Sequence, residues 1–382
     1  MSWELKTLGE TCKMYQPKTI AKADLKKDGK YSVYGANGII GKYNEYNHEK
    51  RQLLITCRGA TCGSINISEP FSWINGNAMV IDPQNTISLD FLKYHFSMAN
   101  FFGNVITGSA QPQITRKSLE KLEISVPQHS EQKQIVKTLD KAFEKIDKAI
   151  ANIERNIENA EELFQSKMEK LLFKESDDRK NSTIGEVCEL MTGGTPSKKK
   201  KEYFEKGDIN WLVSGDIHKK EIQECNGKIT SLGLEKSNAK YLPVNSVMIA
   251  LNGQGKTRGT VAMLRIKATC NQSLVSIYPK DLSKLIPEFI YVNLNSRYHE
   301  IRKLTGDSGN DRRGLNMPLL KKISLSIPKS IEEQKNIIES FYILKNNTDS
   351  IVENNSKKIS LLNDLKKSIL EKAFKGELTS AA

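Results

Sequence analysis

The sequence predicts an α+β protein of two like domains in tandem, each followed by a long helix. The two helices pack as an antiparallel coiled coil with pseudo-twofold symmetry. Three observations predict this. Thr7-Leu8-Gly9-Glu10-Thr11-Cys12 returns 176 residues on as Thr183-Ile184-Gly185-Glu186-Val187-Cys188. Ile124-Ser125-Val126-Pro127 returns 201 residues on as Leu325-Ser326-Ile327-Pro328. After each proline a Glu-Gln-Lys triplet, 131–133 and 333–335, leads into a stretch of apolar heptad spacing. A repeat this long is no solenoid, whose periods run to about 20–50 residues. The ends of the copies match better than their middles, so they share a scaffold and present different surfaces.

A chain of 382 residues can bury two cores. Its formal charge of +13 favours a polyanionic partner, nucleic acid or an anionic membrane. No apolar run approaches the roughly 20 residues of a spanning helix. The start, Met1-Ser2-Trp3-Glu4, does not read as a signal peptide. Nucleic acid is therefore the favoured partner. The six cysteines (Cys12, Cys57, Cys62, Cys188, Cys225, Cys270) form no CxxC pair and have no histidine at ligand spacing. That spacing argues against zinc and for reduced thiols in the cytosol.

In the first domain, residues 1–128, Tyr31–Gly35 and Leu53–Thr56 read as strands and Ser64–Ile67 as a half-buried one. A glycine-bearing turn, Cys57 to Gly63, joins the last two, and Leu89–Phe102 has the spacing of one helix. The first arm, within 129–176, places Ile135, Leu139, Ala142, Ile146, Ala149 and Ile153 in a 4-3-4-3-4 seam. After a slip the seam resumes at Ile157, Ala160, Phe164, Met168 and Leu171, a coiled-coil stripe with a stutter. The second domain, 177–328, repeats the hairpin as Val247–Leu251, a turn from Asn252 to Gly259, and Val261–Leu264. The second arm, within 329–382, carries Ile337, Phe341, Leu344, Thr348, Ile351, Asn355, Lys358, Leu362, Leu365 and Ile369. Each arm is 44 residues long, about 66 Å of helix at 1.5 Å per residue, too long merely to cap its own domain. Two such seams in one chain most simply pack on each other. Polar seam positions such as Asn156 and Asn355 weaken the pair but fix its register.

Catalytic signals are thin. Ala250 to Thr257 fits a relaxed phosphate-loop pattern, but that site needs a following helix, and Val261–Leu264 reads as a strand. No HExxH, GxSxG or GxGxxG is present, Asp208 and Asp216 lack the carboxylate partners of a metal nuclease, and the five histidines are dispersed. The positive signal lies in basic and amide-rich loops. A lone lysine run is equally well a solvated face, but here such loops recur at matching places in both domains. The first domain offers Lys42, Arg58, Thr61, Gln111, Gln113, Arg116 and Lys117. The second offers Ser197, Lys198, Lys199, Lys200, Asn252, Gln254, Lys256, Arg258, Arg312, Arg313 and Asn316. Lysines serve phosphates, whereas Arg, Asn and Gln can make paired contacts to purine edges. Along the arms, Glu131, Gln132, Ile146, Ile153, Glu333, Gln334, Leu344, Ile351 and Leu362 are expected to contact a partner or the other arm.

Together these features resemble the specificity subunit of type I restriction-modification systems, over the whole chain. Tyr34-Gly35-Ala36-Asn37-Gly38-Ile39-Ile40-Gly41 is similar to that family's first-domain signature. Gly193-Gly194-Thr195-Pro196-Ser197, with Gly207-Asp208-Ile209-Asn210-Trp211-Leu212, is similar to its other domain opening. The resemblance implies two target-recognition domains (1–128 and 177–328) and two conserved helical spacer arms (129–176 and 329–382). It also implies a non-catalytic subunit that reads an asymmetric bipartite site on double-stranded DNA. Two methylation subunits and motor-nuclease restriction subunits would dock on it. Those partners would bind S-adenosylmethionine, ATP and Mg, leaving no cofactor here. The setting implied is the cytoplasm of a bacterium or archaeon, at the nucleoid, with no membrane partner. The competing reading is a coiled-coil adaptor that does not read DNA sequence.

Overall fold

The computed structural model describes residues 3–108, 111–253, 255–305 and 314–378. They fall into two compact units: unit 1 is Met1–Arg155 with Asn355–Ala382, and unit 2 is Asn156–Asn354. The expected segments end at the arms, whereas the units divide each arm internally. Unit 1 holds the start of the first long helix, His129–Leu172, and the end of the second, Ile331–Phe374. Unit 2 holds the complementary parts.

Unit 1 is built on a four-stranded antiparallel sheet in the order 12–15, 78–83, 53–56, 65–67. A three-stranded sheet, 38–43, 31–35, 73–74, and a pair, 4–7 with 123–126, complete it. All four residues of Leu53–Thr56 are buried, because the sheet is covered on both faces. Leu53 and Ile55 join Met14, Met79, Ile81 and Phe91 in one core. Leu54 turns the other way, to Tyr34, Ile74 and Val80.

Unit 2 repeats this plan. Its five-stranded sheet runs 188–192, 274–279, 247–250, 261–264, 221–222, beside a three-stranded sheet and the pair 179–183 with 324–328. Val247 and Ile249 face one core while Met248 and Ala250 face another. Among the described residues, the short strand 221–222 has no counterpart in unit 1.

The expected helix over Leu89–Phe102 stops at Phe96. Asn100 takes a positive φ of 57°, which a helix cannot accommodate, and Phe101 and Phe102 fold back on Phe96 with ring centroids 5.1 and 5.2 Å away.

Both long helices span 44 residues. Phe143 and Asp147 of the first meet Lys366 of the second, whereas Phe164 meets Phe341 and Lys345. Partner numbers fall as the first helix advances, so the pairing is antiparallel. The first helix buries the expected seam throughout: Ile135, Leu139, Ile146, Phe164 and Met168 are buried, and Ala142, Ala149, Ile153, Ile157, Ala160 and Leu171 half-buried. The second departs from expectation. Thr348, Asn355, Leu362 and Ile369 face inward, but Ile351 is 43% exposed and Leu365 46% exposed. Val352, Ile359 and Lys366 take the inward places instead. The 4-3 rhythm survives with the alternate position moved by one residue, to Val352 from Ile351, to Ile359 from the exposed Lys358 and to Lys366 from Leu365.

Candidate nucleic-acid interface

The repeated sequence signatures build a shared base. In each copy a threonine opens a single helical turn: Thr7 N–H donates to Glu10 Oε2 at 2.6 Å, and Thr183 N–H to Glu186 Oε2 at 2.7 Å. Leu8 and Ile184 follow, both fully buried. The glycine between allows close approach of a second short helix. A Cβ at Gly9 would lie 3.1 Å from Glu120 O, and one at Gly185 3.1 Å from Lys321 O.

The Glu-Gln-Lys triplets also act at this base. Gln132, fully buried, accepts from Ser88 N–H at 2.9 Å and donates to Thr86 O and Pro127 O at 2.8 and 2.9 Å. Gln334, also fully buried, accepts from Ile286 N–H at 3.1 Å and donates to Lys284 O and Pro328 O at 2.7 and 3.0 Å. Glu131 Oε1 accepts from Trp3 Nε1, and Glu333 Oε1 pairs with Arg179 at 2.7 Å. The expectation that Gln132 and Gln334 contact a partner or the other arm is therefore corrected. Their amides satisfy backbone groups of their own domain, and nothing of them reaches the surface. Glu131 likewise holds Trp3, just before the 4–7 strand of its own domain, and Glu333 holds Arg179 of the 179–183 strand. Ile146 is buried, Ile153, Leu344 and Leu362 are half-buried, and Ile351 is exposed.

Three loops meet in unit 1. Residue Arg58 bridges Gln113, and Gly59 N–H donates to Pro112 O at 3.0 Å. Gly59 has φ 85°, so this turn needs a glycine. Gln113 also bridges Thr107. The third loop is the turn after Gly35: Thr56 Oγ1 lies 2.8 Å from Ala36 O, and both Thr56 Oγ1 and Thr61 Oγ1 lie 2.9 Å from the Asn37 carboxamide. Asn66 donates to Ala36 O at 3.0 Å. Arg58, Thr61, Gln111 and Gln113 are exposed around this junction, and Arg116 and Lys117 follow on the next short helix. Arg116 is paired with Glu120 at 2.7 Å. Lys42 lies on the 38–43 strand, bridged to Lys26, and is exposed.

Unit 2 has a related junction with different contents. Leu315 N–H donates to Leu251 O at 3.0 Å, as Ile114 N–H does to Cys57 O at 2.9 Å. The 251–259 turn is held from outside. His218 Nε2 lies 3.0 Å from Thr257 Oγ1, Tyr298 OH donates to Lys256 O at 2.9 Å, and Arg302 Nη1 donates to Arg258 O at 3.0 Å. The following segment is the antiparallel strand Val261–Leu264, so the phosphate-loop geometry is absent. Asn252 and Lys256 are exposed, but Arg258 is 9% exposed and is corrected from a DNA-facing side chain to a buried one. Gly259, with φ 82°, turns the chain so that Arg302 closes over this stretch. Asn316 is exposed, yet its Oδ1 accepts from Leu319 N–H at 3.0 Å as a helix cap, which leaves its amide nitrogen for other work. Ser197 to Lys200 form an exposed turn, with Lys200 over the Tyr203 ring at 5.2 Å and 3.9 Å from Glu202. Gln254, Arg312 and Arg313 lie outside the described residues.

Sequence reasoning did not select Asn37, Asn66, His218, Tyr298 or Arg302. A turn of two glycines around Ala36-Asn37 was a signal for the first. The others are tens of residues from the loop they touch, and their spacing carries no signal.

Residues 1–159 and 176–361 match the family described as Type I restriction modification DNA specificity domain. The chain belongs to that family. It is 26% identical over 254 residues to the EcoR124I/EcoR124II specificity subunit of Escherichia coli, a match spanning 65% of this chain and 61% of that one. It is 26% identical over 346 residues to a putative type I restriction enzyme specificity subunit of Haemophilus influenzae, spanning 87% and 84%. In fold it is similar to a chain solved in work on complex assembly and conformational transition of the type I R-M system, with TM-score 0.75, 16% identity and 98% of each chain covered. It is also similar in fold to the HsdS subunit of Thermoanaerobacter tengcongensis, with TM-score 0.54, 15% identity and 98% and 97% covered. Specificity subunits are the non-catalytic members of type I complexes. Among the described residues no helix is long and apolar enough to cross a membrane.

Proposed function

We propose that this chain reads a bipartite, asymmetric DNA site and positions methylation and restriction subunits on it. The supporting observation is one scaffold used twice, carrying two unlike loop junctions. Two copies with the same tips would read a palindrome, as symmetric dimers do, whereas unlike tips read unlike halves. Lysines of the 197–201 turn serve the backbone, and Arg58, Gln113 and Asn252 stand where base edges can be reached. Methyl transfer, with S-adenosylmethionine, and ATP- and Mg-dependent cleavage belong to the partner subunits. The long helices set the gap between the half-sites.

The test is mapping of methylated adenines in a host that carries this chain and its methylation partner. The expected motif has two unlike halves around a fixed gap. Adding one heptad to both helices should change the gap alone. A motif without a gap, or a gap indifferent to helix length, overturns the reading.

A further inference from the structure

Asn37 is exposed at the tip of unit 1, yet its carboxamide is not free to turn. Thr56, 2% exposed, places Oγ1 2.8 Å from Ala36 O and 2.9 Å from the Asn37 carboxamide. The Thr56 hydroxyl shares its proton between Ala36 O, which Asn66 also serves, and Asn37 Oδ1, and the Thr61 hydroxyl donates to the same Asn37 Oδ1 at 2.9 Å. With the Asn37 oxygen held by two hydroxyl donors, what remains outward is its amide nitrogen, a donor, beside the lone pairs of the exposed Thr61 hydroxyl, an acceptor.

The turn that carries Asn37 is itself fixed. Gly38 has φ 112°, and a Cβ at Gly35 would come within 2.9 Å of Ile40. The side chain thus stands as a pre-set group beside Thr61, at low entropic cost on binding.

We infer that Asn37 and Thr61 together read an adenine in the half-site of unit 1. Adenine offers the major groove an N6 amino donor beside the N7 acceptor, the complement of an acceptor beside a donor. Guanine offers two acceptors and would set its O6 against Thr61 Oγ1, whose proton is already given to Asn37. The inference rests on the DNA-reading role proposed above and adds to the already expected Thr61 a partner, Asn37, that neither composition nor the basic loops pointed to.

The experiment is methylated-site mapping with the methylation partner present, for wild type, Asn37→Ala, Thr61→Val and an exchange of the whole 57–63 loop. Asn37→Ala is expected to lower the preference for adenine at one position of one half-site by about tenfold to a hundredfold, the usual cost of one lost base contact. Thr61→Val, which removes the exposed hydroxyl and its bond to Asn37 while keeping the side chain's shape, is expected to lower the same preference about tenfold. The other half and the gap stay unchanged. If the loop exchange alters a half-site while both point variants keep the adenine, this inference fails and the reading role stands. If the loop exchange also leaves the motif untouched, the reading role of unit 1 fails with it.

Discussion

Gln132 in unit 1 and Gln334 in unit 2 each hold the same three kinds of backbone partner, and Glu10 and Glu186 close the same turn. At the opposite extreme, Arg58 stands where unit 2 has Asn252. The turn braced by Thr56, Thr61 and Asn66 in unit 1 gives way in unit 2 to a loop held by His218, Tyr298 and Arg302. One base therefore carries two unlike loop surfaces. A base that spends its polar groups on internal bonds stays rigid, and loops supported from neighbouring loops can change content without disturbing it.

The largest test of that comparison is removal of the buried glutamines. Gln132→Ala strips partners from Ser88 N–H, Thr86 O and Pro127 O at once. It should cost about 3–5 kcal/mol, since each unsatisfied buried group costs about 1–3 kcal/mol and relaxation recovers part. Hydrogen exchange should show the loss in unit 1 alone, and Gln334→Ala should mirror it in unit 2. Equal loosening of both units by either variant would break the picture of two independent bases.

A smaller test separates the units by pH. His95 is buried, its ring stacked on Phe374 at 4.4 Å, and burial pushes it down to about 4. The matching place in unit 2 is Asn293, buried and donating to Phe289 O at 3.1 Å, which does not titrate. His95 is neutral when folded and charges at about 6.5 when unfolded. Stability is therefore full above that value and falls as pH drops towards 4, by at most about 3 kcal/mol. Acid should loosen unit 1 before unit 2, and His95→Phe should remove the difference. Exchange rates followed from pH 7 to pH 4 check it, and equal acid sensitivity of both units would contradict it.

The smallest test concerns the caps. Thr115 Oγ1 accepts from Ser118 N–H at 3.1 Å and caps the 116–120 helix of unit 1 as Asn316 caps its counterpart, so Asn316→Ala and Thr115→Ala should each cost about 1 kcal/mol in chemical denaturation. Asn316→Asp should restore the cap. If Asn316→Asp also keeps the methylation motif, Asn316 is a cap and not a base reader.

The first helix was legible because every level of its expected seam, from Ile135 to Leu171, is apolar and is buried or half-buried. The second was legible in length but not in facing: at Ile351/Val352 and Leu365/Lys366 the spacing allowed two answers. Arg258 was misread for a related reason, since a charged residue in a glycine-rich turn reads as exposed until a distant Arg302 is folded over it.

By itself the sequence determined what is local or repeated: the strands and hairpins, both helix lengths, and the duplication whose Thr-x-Gly-Glu and Glu-Gln-Lys signatures become the base. Propensity, capping and heptad spacing act within a few residues, so they survive in one dimension. Tertiary structure alone decided which way each polar group faces. Gln132 and Gln334 point inward and the Asn37 carboxamide is held at the surface, because the atoms that orient them come from segments far along the chain. A hydrogen bond is settled by the partner's position in space, and spacing in sequence does not encode that.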